Sequence, residues 1–106
     1  MSRRVVFSPQ ATETLERLYV EVAAWASPET ALRLIWNIEI RCDVLGDFPR
    51  LGRARDDLMD GLRILTLDRR ITVAYRITPG RILIARIFYR GEDFEAALRA
   101  DPSAED

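Results

Sequence analysis

The apolar positions of this chain change their spacing partway along, from a helical rhythm to a strand rhythm, and that change predicts its architecture. Arg3-Arg4-Val5-Val6-Phe7 reads as a short strand. Ser8-Pro9 then marks a helix start, with serine as N-cap and proline at the first helical position. Ala11, Leu15, Leu18, Tyr19, Val22 and Trp25 follow at helical spacing. Ser27-Pro28-Glu29 repeats the start signal, and Ala31, Leu34, Ile35, Ile38, Cys42 and Leu45 form one face of a second helix. Two amphipathic helices joined by so short a loop are expected to lie antiparallel as a hairpin.

Phe48-Pro49 ends the second helix, and residues 52–61 read as a polar loop with Arg53, Arg55, Asp56, Asp57 and Asp60. Three strands are predicted after it. Residues 62–67 make the first, and Ile71, Val73, Tyr75 and Ile77 alternate with Thr72, Ala74 and Arg76 in the second. Thr78-Pro79-Gly80-Arg81 suits a type II turn. Residues 82–89 are almost continuously apolar, which suggests a central strand, and residues 91–100 can form a short closing helix. The predicted class is α+β: an N-terminal strand and helical hairpin packed on a mostly antiparallel sheet, with a short C-terminal helix. Residues 1–100 are read as one domain, and Asp101-Pro-Ser-Ala-Glu-Asp106 as a flexible acidic tail.

The second helix carries more apolar surface than its core face needs. Leu32, Trp36 and Ile40 sit four residues apart and form a second stripe turned away from the first, flanked by Arg33 and Arg41. Such a helix is either buried on two sides or open to a partner. The N-terminal strand or the tail is one candidate cover; in so small a domain a partner is favoured.

Composition narrows the chemistry. The chain has no histidine, which removes Ser-His-Asp and Cys-His catalysis, imidazole metal ligation and the usual neutral-pH proton shuttle. Its single cysteine, Cys42, cannot close an internal disulfide. That fits a reducing cytoplasm, and its place on the apolar stripe favours a buried small side chain over a reactive thiol. No apolar run approaches a membrane span, and the N-terminus lacks the core of a signal peptide. No metal or cofactor is expected. Net charge is −1, which argues against strong direct nucleic-acid binding. The charge is uneven, however: residues 50–90 hold ten Arg against four Asp, whereas residues 91–106 hold six acids against Arg99. All sixteen basic residues are arginine, so every positive site is a planar fork that keeps its proton.

Several pieces, in order and at matching spacing, resemble one family along almost the whole chain. They are Phe7-Ser8-Pro9-x-Ala11; Ala31 and Ile38 through Leu45; Pro49-x-x-Gly52-Arg53; Asp57-Leu58-x-x-Gly61-Leu62-Arg63; Ala74-Tyr75-Arg76-Ile77; and Ile84-x-Arg86-Ile87-Phe88. Together they resemble the ParE branch of the RelE/ParE toxins of toxin–antitoxin systems. The resemblance implies a growth-arresting toxin, often a plasmid-stabilising one, held in check by a cognate antitoxin of ParD-like or other class. It also implies one of two chemistries: RelE-like members cleave messenger RNA on the ribosome, and ParE-like members poison DNA gyrase.

The RelE-like site carries over poorly. Its basic position on the first long strand matches Arg63 and the arginine closing the last strand matches Arg90, but the middle-strand arginine falls on Thr72. The C-terminal aromatic or histidine falls near Phe94 or Ala96, neither of which moves a proton. An RNase would be left with Arg63, Tyr89 and Arg90, and with Glu92 or Asp93 as bases set awkwardly beside a phosphate. The non-hydrolytic branch is therefore favoured, with Arg63, Arg86, Tyr89 and Arg90 as contacts to gyrase. The chain departs from many ParE-like members in reading Phe88-Tyr89-Arg90-Gly91 where they carry a histidine. Family antitoxins fold an acidic–apolar segment onto the toxin, and Leu32, Arg33, Trp36, Ile40 and Arg41 are the expected antitoxin contacts. The alternatives are a RelE-type RNase and a non-toxic relative that only binds antitoxin.

Overall fold

In the computed structural model, which describes residues 2–89 and 91–100, one serine joins the first strand to the first helix. β1 (Arg4–Phe7) runs into α1 (Pro9–Trp25) through Ser8, whose hydroxyl accepts the Ala11 amide at 3.0 Å. The same hydroxyl donates to the Ala85 carbonyl at 2.7 Å, so the cap also pins the helix to the sheet. Ser27 caps α2 (Pro28–Asp43) by accepting the Thr30 amide at 3.1 Å. Both helices begin with proline, where the missing N–H has no intrahelical partner to lose.

A 3-10 turn, Val44–Gly46, continues α2 and carries Leu45 into the core. The loop that follows is not wholly irregular. Arg53–Ala54 forms a two-residue strand, β2, paired with the start of β3 (Leu62–Leu67). β4 (Ile71–Thr78), β5 (Arg81–Tyr89) and α3 (Phe94–Ala100) complete the chain. Gly80 at φ +76° closes the β4–β5 hairpin, as the Pro-Gly turn predicts.

The sheet order is β1-β5-β4-β3-β2, with β1 parallel to β5 and the other pairs antiparallel. The apolar β5 is an inner strand, as predicted. Register shifts where Ala74 pairs with Arg86 and Tyr75 with Ile84, leaving Ala85 as the extra residue of a bulge. Its carbonyl is the one that Ser8 holds.

Alternation divides the sheet into two faces. Leu67, Val73, Tyr75, Ile82, Ile84 and Ile87 join Ala11, Leu15, Leu18, Val22, Ala31, Ile38, Cys42 and Leu45 in the main core under the hairpin. Leu62, Ile64, Ala74 and Phe88 face the other way, beneath Phe94 and Leu98 of α3. Trp25 departs from the sequence reading. It sits at the last position of α1 and is 68% exposed, bordering a cleft near the β3–β4 turn instead of joining the core. Arg90 and the predicted acidic tail, residues 101–106, lie outside the described residues.

Candidate functional site

The outer surface of α2 is an apolar feature that the fold leaves open. Ala31, Ile38 and Cys42 point inward, so the row displaced around the helix, Leu32-Trp36-Ile40, must point out. Trp36 is 60% exposed and Ile40 65%. Exposed apolar side chains continue past the end of the helix. Val44, Phe48 and Leu51 are also exposed, and positions 32, 36, 40, 44 and 48 keep the four-residue spacing beyond the end of the helix. That unbroken spacing was the available signal; the Phe48-Pro49 stop hid it.

Beside this ridge a groove of about 420 Å³ runs between α1 and α2, with Leu15, Tyr19, Val20, Leu32 and Ile35 in its walls and Glu16 and Glu39 on its margin. Arg33 is exposed on the opposite flank. Arg41 is engaged: its Nη1 meets Asp68 Oδ1 at 2.9 Å, tying α2 to the β3–β4 turn. The ridge therefore has an acidic margin on one side and arginines on the other, one of them already bonded.

Of the four residues expected to share a target contact, the three that are described do not converge. Arg63 donates from Nε to the Gly52 carbonyl at 3.0 Å and from Nη2 to the Arg50 carbonyl at 3.3 Å. Its register partner Tyr75 holds the same loop, donating to the Pro49 carbonyl at 2.7 Å and accepting the Gly52 amide at 2.8 Å. Tyr89 lies toward the other end of that face, where β5 meets Ile71. Its hydroxyl donates to Glu21 of α1 in a cleft of about 730 Å³ bordered by Trp25, Arg69 and Arg70. Arg86 is on the opposite face, its guanidinium 4.9 Å from the Phe88 ring centroid. Arg90 lies outside the described residues. The two carboxylates weighed as bases serve local backbone: Glu92 accepts the Tyr89 amide and Asp93 the Ala96 amide.

A family model for the ParE toxin of the type II toxin–antitoxin system parDE matches residues 5–94. The chain belongs to the ParE toxin family. Among solved structures it is similar to the chromosomal ParDE toxin–antitoxin system from P. aeruginosa, with 25% identity and a TM-score of 0.73, over 83% of this chain and 96% of that one. The toxin–antitoxin complex RelBE2 from Mycobacterium tuberculosis shares the fold at 20% identity and a TM-score of 0.59, covering 85% of this chain and all of that one. No curated protein matches.

In this ParE-family toxin the remaining polar cluster is structural. Arg55 bonds both oxygens of Asp57 and also Glu95 of α3, and so fastens that helix to the loop before β3. The Arg55 hydrogen bonds hold the Asp57 carboxyl down at about 2, and the two acids raise the arginine still further above its ordinary value. Cys42 is fully buried, and burial, reinforced by Glu39, pushes its thiol up to about 12. It stays protonated and unreactive at neutral pH. Among the described residues no cluster of acids and cysteine could hold a metal ion, and no helix is long and apolar enough to cross a membrane.

Proposed function

We propose that this toxin is silenced by a cognate antitoxin that docks on the α2 ridge, and that the free toxin acts by holding DNA gyrase on cleaved DNA in the cytoplasm. The ridge carries the reading: Leu32, Trp36 and Ile40 lie open on the outer surface of α2, and Val44, Phe48 and Leu51, which follow in the chain, are exposed as well. An amphipathic antitoxin segment laid along it would find Trp36 as its aromatic anchor. The similarity to proteins solved as toxin–antitoxin complexes supports the same partner. Trp36→Asp is expected to weaken antitoxin binding by more than about tenfold in calorimetry while the circular dichroism spectrum is unchanged. Equal affinity would remove the ridge from the interface.

Gyrase is favoured over RNA because a nuclease needs a proton acceptor, a proton donor and cations around one phosphate. Arg63 is bound to loop carbonyls and Tyr89 to Glu21 at the far end of the face, so neither serves a common centre. Purified toxin added to gyrase and supercoiled plasmid is expected to raise the amount of cleaved DNA trapped by detergent. Cleavage of messenger RNA in a purified ribosome reaction, with gyrase untouched, would replace this reading with a RelE-like one.

A further inference from the structure

The cleft of about 730 Å³ lies where α1 and α2 meet the β3–β4 turn, and none of the ridge residues lines it. Buried Leu18, Val22, Ile38, Leu67 and Ile71 give it an apolar floor. Two aromatic rings reach it from different elements, exposed Trp25 from the end of α1 and half-buried Tyr89 from the end of β5. Arg69 and Arg70, both exposed, stand at its margin. Among the described residues neither guanidinium has an ion pair or a hydrogen bond. Asp68, the acid next to them, is held by Arg41 instead.

The turn pays to hold Arg69 there. The Arg70 amide donates to the Leu67 carbonyl at 3.1 Å, and the two residues between them, Asp68 and Arg69, have φ of 52° and 63°. Left-handed backbone is unfavourable for any residue with a side chain. Aspartate tolerates it better than most, and Asp68 is also tied to α2; Arg69 has no such compensation. Glycine would close the same turn without strain. Strain kept at the margin of a cleft points to a use for the side chain.

The lining selects the occupant. Exposed aromatic rings beside unpaired arginines suit a flat base with a phosphate attached, as in single-stranded nucleic acid. Glu21 and Asn37 also line the cleft, and Glu21 accepts the Tyr89 hydroxyl. A base brings N–H donors to such groups, whereas an acidic peptide would set a second carboxylate against Glu21. Bases stacked and paired inside a duplex cannot enter a slot of this kind. A net charge of −1 and only two arginines keep the contact weak and local. Of the described residues expected to meet the target, Tyr89 lines this cleft and Arg63 and Arg86 do not.

We propose that this cleft binds an unpaired DNA strand, with a base against Trp25 and Tyr89 and the neighbouring phosphates on Arg69 and Arg70. In the cell that strand is the DNA that gyrase has cut; this role, though not the site, rests on the gyrase reading. The probe is a single-stranded DNA of about ten nucleotides, titrated into Trp36→Phe toxin so that Trp25 alone reports. Trp25 emission should be quenched, and log affinity should fall against log salt with a slope of about −1.4, the value for two phosphates on a single strand. The matching duplex should bind at least about tenfold more weakly. Trp25→Ala, followed calorimetrically, should lose about tenfold in affinity with an unchanged circular dichroism spectrum. Arg69→Gly relieves the turn, so the free toxin should melt about 1–5 °C higher, yet its slope should drop to about −0.7. A merely structural arginine cannot give a firmer fold and weaker binding together. Absence of quenching overturns the proposal, as does equal binding of the duplex, displacement of the strand by a glutamate-rich peptide, or a more than tenfold preference for RNA of the same sequence. In the gyrase reaction both variants should trap about tenfold less cleaved DNA than the wild type; trapping at the wild-type level overturns the proposed role. Wild-type toxin that binds the strand and leaves gyrase untouched keeps the site and discards only the gyrase reading.

Discussion

Tyr75 shows how one side chain can set the position of a whole loop. Its ring is fully buried, and its hydroxyl both donates to Pro49 and accepts from Gly52, so the chain leaving α2 is held against β4. Gly52 has no alternative: a Cβ there would stand 2.7 Å from the Tyr75 ring and hydroxyl. Tyr75→Phe keeps the ring and strands the buried Gly52 amide and the half-buried Pro49 carbonyl, a loss of about 1–3 kcal/mol. Urea denaturation is the measurement, and a change near zero would mean that water replaces the hydroxyl. Nothing in the sequence announced this role. The alternation around Tyr75 predicted its burial, but its partners lie 23 and 26 residues away in a loop that local patterning leaves undefined. Cys42 was legible for the opposite reason, since a cysteine on the inward stripe of a helix needs only that stripe to predict burial. With its thiol held near 12, the native protein should resist a thiol reagent at pH 8 and react fully once unfolded. Rapid labelling of the folded toxin would place the sulfur at the surface.

Helix starts and strand rhythm carried most of the element-level information. Ser8-Pro9, Ser27-Pro28 and Pro79-Gly80 act within a few residues of themselves and mark their elements in the structure. Pairing partners are another matter. β2 has two residues and exists only because β3 is beside it. α3 is likewise a product of its contacts, seven residues long and held by Phe94, Leu98 and the Arg55 clamp. A helix so short has little stability of its own. The clamp should give it a definite acid response. Asp57 titrates near 2 in the folded protein against an ordinary 3.8, because Arg55 bonds its charged form. A depressed carboxyl stabilises the fold above its unfolded value and loses that contribution as pH falls through its folded value. The wild type should therefore melt above Asp57→Asn by a constant margin down to about pH 4, and the margin should close by about pH 2. A margin that persists at pH 2 would mean that packing, not the charge, holds α3.

At the scale of the molecule, the two layers allocate different surfaces to different tasks. The hairpin shields the main core and turns an apolar ridge outward; the opposite sheet face packs in part under α3. Sequence alone placed the arginines on strands but grouped Arg63, Arg86 and Tyr89 as one contact. Register and the Ala85 bulge assign Arg63 and Tyr89 to the two ends of one face and Arg86 to the other. Which side of a sheet a residue occupies depends on pairing that no local window contains.

Exposed apolar area on so small a domain also bears on the stability of the whole. A partner that binds only the folded toxin adds RT ln(1 + [L]/Kd), about 2.7 kcal/mol when the free antitoxin stands at a hundred times its dissociation constant. For a domain of about 100 residues, each kcal/mol is worth roughly 4–8 °C, so the toxin in complex should melt about 10–20 °C above the free protein. The shift should grow with antitoxin concentration, as linkage requires, and shrink in Trp36→Asp because its dissociation constant is larger. A concentration series of thermal melts measures it. A melting temperature indifferent to antitoxin would mean that the ridge is no binding surface and that the open apolar row must be explained by the fold of the free toxin alone.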